Sequence, residues 1–187
     1  MIRFFLLLLV VIPALALNTT QMERDLDGIA KVATAMVDGD VCQRIITPRA
    51  LTYMLRRDRR DEYASADNYD VDDPAFITTK KSLMRLATLA DYPVDVNLWM
   101  PLDAHRKSIS IVIRNRYEMS QFWEWGKLEQ PMFPPMLSVL ETGKRLTVKQ
   151  KTGYVSVLAP VRNSLGDIVA LVEVVSQLQP DARENVK

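Results

Sequence analysis

Cysteine is all but missing from this sequence: Cys42 is the only one among 187 residues. A lone thiol closes no internal disulfide, so the fold must stand on packing. Cys42 itself reads as a small buried apolar residue. Histidine is as scarce. His105 is alone, in the polar turn Asp103-Ala104-His105-Arg106-Lys107, and reads as an exposed residue. A metal centre or a histidine-based triad needs partners at motif spacing, and none is present. The six glycines form no phosphate-cradling loop, and there is no nucleophile elbow or paired-cysteine motif. We therefore expect no catalytic residue, no metal and no cofactor; an enzyme whose motif cannot be read is the third-ranked reading. Charge of one sign is lacking too. The 24 basic and 23 acidic residues leave a net charge of +1, which argues against a nucleic-acid partner.

Long apolar runs are absent except at the N-terminus. Phe4 to Leu17 is apolar throughout, broken only by Pro13, preceded by Arg3 and containing Ala14-Leu15-Ala16. A charged start, a short apolar run and a small-x-small site make a secretory signal peptide. The run is short for a membrane span, which takes about 20 residues. Residues 1–16 are expected to be removed, with an uncleaved anchor as the alternative. The mature chain would be periplasmic or secreted. Without Arg3 its basic residues fall from 24 to 23, equal to the acidic count.

The next stretch reads as helices. Thr20 and Glu23 fit a capping box, and Met22, Leu26, Ile29, Ala33 and Met36 form one apolar stripe. Asp38-Gly39-Asp40 ends that helix, with Gly39 suited to positive φ. A short piece follows over 41–46, and Thr47-Pro48 opens another helix, which runs into Arg56, Arg57, Arg59 and Arg60, read as a solvated face. Residues 61–73 form a loop; Asp67, Asp70, Asp72 and Asp73 lack the pattern of a calcium loop and read as solvated. Asp73-Pro74 restarts a helix with the stripe Phe76, Lys80, Leu83, Ala87 and Ala90.

The period then changes to two. Val94, Val96, Leu98 and Met100 alternate with Asp95, Asn97 and Trp99, and Ile109, Ile111 and Ile113 begin a second strand. Residues 115–133 are aromatic and aperiodic. Pro134-Pro135 opens a short helix closed by Gly143. Strands are expected over 145–151, 154–161 and 168–176, with a hairpin at 163–167. The last two are apolar on both faces, so both faces of the sheet must be covered. The expectation is α+β: a five-stranded antiparallel sheet over 17–176, with the long N-terminal helix on one face and a helical crossover on the other. Residues 177–187 form a polar tail.

Gly153-Tyr154-Val155-Ser156, Ala159-Pro160-Val161 and Asn163-Ser164-Leu165-Gly166, followed by the apolar strand to Val175, lie within an order of two strands, a crossover and three strands. This resembles the PAS-like fold and, with the long first helix, the extracytoplasmic single-Cache sensor domains of bacterial receptors. Asp38-Gly39-Asp40 is similar to that family's break after its first helix. The resemblance implies sensing, with a pocket where the crossover overlies the sheet. Members that bind amino-acid-like ligands often carry an Asp near the end of the last strand. The nearest positions here are Glu173, Val175 and Ser176, which counts against an amine ligand. No second membrane segment or output domain follows, so signalling is expected to pass through a protein partner.

Trp123 and Trp125 of the crossover and Trp99, Arg114, Tyr154 and Ser156 of the strands are the candidate ligand-binding set, with Arg116 beside Arg114. Either arginine could hold a carboxylate bidentately, so the expected ligand is a small organic anion. The alternative is that these aromatics are ordinary core. The domain would then be a structural or assembly module, with the N-terminal helix as its homodimer contact.

Overall fold

The computed structural model describes residues 19–55, 73–125 and 127–178. The signal-peptide segment, the run from Arg56 to Arg60, the acidic loop as far as Asp72 and most of the C-terminal tail lie outside them. Among the described residues no helix is long and apolar enough to cross a membrane.

The expected helices are present with shifted ends: the first opens at Thr19 and so includes Thr20, the second opens at Gly39 rather than 41, and the fourth closes at Ala87 rather than beyond Ala90. Helix α1 (Thr19–Met36) buries Met22, Leu26, Ile29, Ala30 and Ala33. Helix α2 (Gly39–Ile45) is capped by Asp38, whose side chain accepts the N–H groups of Asp40 and Val41. Thr47 accepts the Ala50 N–H in the same way at the start of α3 (Pro48–Met54). Helix α4 (Asp73–Ala87) buries Ala75, Thr79, Leu83 and Leu86. Its inner stripe is thus centred one position earlier than the large residues suggest, with Phe76, Ala87 and Ala90 packed at its margin. Small residues sit innermost because α4 lies close against α2, where Thr79 meets the buried Cys42. Burial lifts that thiol to about 12, which leaves it a packing residue.

Gly39 does a different job from the one expected. It is not among the glycines with positive φ, which are Gly143, Gly153 and Gly166. A Cβ at Gly39 would lie 2.3 Å from the backbone oxygen of Arg162, so only glycine lets α2 start there. Next to it Asp40 accepts both the N–H and the hydroxyl of Ser164. The Asp-Gly-Asp break and the Asn-Ser-Leu-Gly hairpin therefore meet in space.

The sheet has six strands, not five: β1 (Asp95–Pro101), β2 (Ser108–Ile113), β3 (Gln130–Pro131), β4 (Leu146–Val148), β5 (Tyr154–Arg162) and β6 (Ile168–Gln177). All are antiparallel, in the order β3-β2-β1-β6-β5-β4. The extra strand is two residues at the edge, too short for any periodicity to announce it. Strand β4 is shorter than expected. The crossover is helical only in α5 (Pro134–Thr142), closed by Gly143 at φ 66°; residues 114–129 carry no helix or strand among those described.

Both faces of the sheet are covered. Helix α1 lies on β5 and β6, α2 on β6 and α4 on β1. Their apolar stripes meet Val96, Leu98, Val155, Val157, Ala159, Val172 and Val174. This uses the α1 stripe within the chain, so only Met36 of that stripe stays exposed. The opposite face packs Trp99, Ile109, Ile111, Leu158 and Leu171 under Phe122 and under Met136, Val139 and Leu140 of α5.

Candidate functional site

The crossover-covered face of β1 carries Asp95, Asn97 and Trp99, because strand side chains alternate and Val96, Leu98 and Met100 take the helix side. Asp95, Asn97 and Trp99 are all buried. Removing them from water is costly unless each polar atom finds a partner, and the returning chain supplies those partners. The Asp95 carboxylate accepts the N–H of Tyr117 at 3.1 Å and of Met119 at 2.8 Å. Asn97 accepts the Asn115 N–H at 3.2 Å and donates to the Met119 carbonyl at 2.7 Å. Glu118, between the two N–H groups held by Asp95, takes φ 53°. That is the left-handed region, uncommon for a side-chain-bearing residue.

Glu173 completes the row. It stands opposite Asn97 in the β1–β6 register and is fully buried. Its carboxyl receives Ser120 Oγ at 2.6 Å, the Gln121 N–H at 2.9 Å, Ser156 Oγ at 2.9 Å and Trp99 Nε1 at 3.0 Å. Gln121 reaches on to the end of β4 and the turn after it: its Nε2 donates to the Val148 carbonyl, and its Oε1 accepts the N–H groups of Gln150 and Lys151. Residues 115–121 are therefore a strap whose backbone is gripped by three polar side chains of the sheet. Beyond it Phe122 packs edge-on to Trp99, with centroids 6.4 Å apart, and against Phe133 at 5.2 Å.

Two of these carboxyls titrate above their ordinary ranges. Burial pushes Glu173 up, and the donors from Ser120, Gln121, Ser156 and Trp99 pull the other way. Burial likewise raises Asp95, opposed by the Met119 and Tyr117 N–H groups and reinforced by the charge of Glu118.

The sequence-derived ligand set falls into three groups. Trp99 and Ser156 come together, but on Glu173. Arg114 and Trp123 come together, with the guanidinium 4.3 Å from the indole centre and Glu118 3.4 Å away. The remaining three stand apart. Trp125 is 74% exposed, Arg116 is exposed and lies over the Tyr117 ring, and Tyr154 lies under Lys151. Tyr154 pairs with Gln177 while Trp99 pairs with Leu171. Those positions are six residues apart on β6, about 20 Å along the strand, so one small molecule does not span them.

Asp95, Asn97, Ser120, Gln121 and Glu173 escaped the reading of the sequence. Their signal was there: Glu173 interrupts an apolar strand, and Asp95 and Asn97 stand in a strand of a sheet expected to be covered on both faces. A polar residue in such a place must be bonded to something that crosses it.

Among the described residues no three of His, Cys, Asp and Glu are grouped to hold a metal. His105 is exposed in its turn, where its N–H and those of Lys107 and Ser108 bond to Asp103. Compared with protein-family models and with curated proteins, the chain matches none.

Proposed function

We propose that this is an extracytoplasmic PAS/Cache-like domain that binds a small organic anion at the margin of its crossover and acts through a protein partner. The observation carrying the ligand is the Arg114–Trp123 pair. A guanidinium stacked on an indole is pre-oriented, and its planar fork suits a carboxylate. The element order of two strands, a crossover that holds the two-residue β3 and α5, and three further strands supports the family reading. Export rests on the N-terminal charged and apolar segment, and intact mass of the native protein tests it.

A second reading, an assembly module without a ligand, is favoured by the layer beneath the strap. Trp99, Phe122 and Phe133 fill it, and the Glu173 carboxyl uses Trp99 and Ser156. A thermal-shift screen of the mature protein against organic acids, amino acids and amines separates the two, since a ligand specific to the native state raises its melting temperature. Organic acids are expected to raise it and simple amines to leave it unchanged. Arg114→Ala should weaken the binding about tenfold or more, because a charge-assisted bond contributes about 1.5–3 kcal/mol. If no compound of any class shifts the melting temperature, the ligand is removed and the assembly module stands.

A further inference from the structure

The socket around Glu173 has a direction built into it. Ser120 Oγ accepts the N–H groups of Phe122 and Trp123, both at 3.1 Å, so its own hydrogen points to the carboxyl. Trp99 Nε1 and the Gln121 N–H can only donate. Ser156 Oγ alone of the four can turn and accept. The socket thus fits a carboxylate with four donors or, with one hydroxyl turned, a carboxylic acid.

No cation faces it. From β1 come Trp99 and Asn97, with Asp95 one inward position further and Glu118 acting on Asp95. From β5 come Ser156 and Leu158, with Tyr154 at the strand's start. The strap brings Ser120 and Gln121, and α5 brings apolar Met136, Val139 and Leu140. Lys149 and Lys151 follow β4, but their ammonium groups engage Glu23 and the Tyr154 ring. Two of the four donors belong to the strap and two to the sheet. Lifting the strap therefore removes donors and admits water together. Burial without a counter-charge disfavours the ionised form, and at Glu173 it outweighs the four neutral donors that pull the other way.

We propose that closure of the 115–121 strap over the sheet takes up a proton at Glu173, so that the strap is sealed in mild acid and loosened as pH rises. This device is independent of any ligand at Arg114. A glutamate in water has the ordinary value of 4.5, toward which an opened strap would return it, and burial raises the closed form above that value. The open-to-closed ratio therefore climbs by up to about tenfold per pH unit between those two values and then levels off.

Trp99 lies beneath the strap and reports on it. In a Trp123→Phe/Trp125→Phe background Trp99 is the sole tryptophan, and acrylamide quenching of its fluorescence reads the open population. Quenching is expected to rise as pH is raised above 4.5 in that protein, and to be independent of pH after Glu173→Gln. Asp95→Asn should keep the rise. A flat or falling profile, a rise that survives Glu173→Gln, or a rise abolished by Asp95→Asn overturns the proposal. If Glu173→Gln does not fold, carbon-13 NMR of the Glu173 carboxyl in the otherwise unaltered protein serves instead. Its titration should lie above 4.5 and track the rise in quenching, and a carboxyl that stays ionised throughout overturns the proposal equally.

Discussion

The two faces of this sheet are covered by different physics. On the helix side three amphipathic helices lay apolar stripes on apolar strand residues, with nearly every inward position aliphatic. On the crossover side a segment without helix or strand lies over the sheet. Its backbone groups have no ladder of their own, so the sheet supplies partners through Asp95, Asn97 and Glu173. Regular structure satisfies its own hydrogen bonds and needs only a greasy neighbour; irregular structure must borrow them. The borrowed bonds are directional and include two buried carboxyls, which makes this the face where chemistry can regulate packing.

The largest test of that contrast is Leu26→Asp. Leu26 is fully buried within the apolar cluster of the helix side. The variant should lose more than about 4 kcal/mol of stability, read by urea unfolding. An unchanged midpoint would mean that α1 is not part of the core.

Next come Leu98→Ala and Glu173→Ala, one on each face. Each is expected to lose about 3 kcal/mol, the first through a cavity and the second through donors left unbonded. The distribution should differ. Native-state hydrogen exchange should rise broadly across β1 and its neighbours in Leu98→Ala. It should rise first at Gln121, Phe122 and Trp123 in Glu173→Ala. Identical exchange patterns would break the distinction between the faces.

A smaller effect separates the carboxyls by sign. Asp95 titrates above its ordinary value of 3.8, so its folded form holds a proton that the unfolded chain releases. Its contribution is fully present below that value and is lost as pH rises through the folded value. Asp27, on the outer surface, is lowered by its bond to Arg145. Its contribution is present above 3.8 and is lost as pH falls through the folded value. Asp95→Asn should therefore flatten the decline of stability with rising pH, and Asp27→Asn the decline in strong acid. Melting temperatures across a pH series decide both, and a shared sign would refute the contrast.

The smallest change is Arg145→Ala. The pair with Asp27 is partly solvent-exposed, so about 0.5 kcal/mol is expected, and salt should shrink the difference. A loss several times larger would mean that α1 and the β4 end are joined more firmly than surface charge allows.

Much of the fold could be read along the chain because its signals are local. Thr47-Pro48, the α1 stripe, Pro134-Pro135 with Gly143 and the alternation of β1 each depend on residues a few positions apart. The two-faced burial of β5 and β6 was legible too. The two-residue β3 was not, since pairing of Gln130 and Pro131 with β2 depends on where the strap returns. Gly39 was read as a turn-former, yet it serves close approach to a backbone 123 positions away. At the candidate site the aromatic and arginine residues were picked out by type. Their grouping was not, because the register at β6 sets Trp99 and Tyr154 far apart.

Composition and periodicity by themselves determined the class of structure: helices followed by an antiparallel sheet, no internal disulfide, and a sheet covered on both sides. Tertiary structure alone decided which polar residues the strap would meet, and that Glu173 would be the acceptor where Trp99 and Ser156 converge. Apolar periodicity reports which face of an element is buried, and it follows from local geometry. The partner of a buried polar atom is one particular atom, and its position is known only once distant segments have packed.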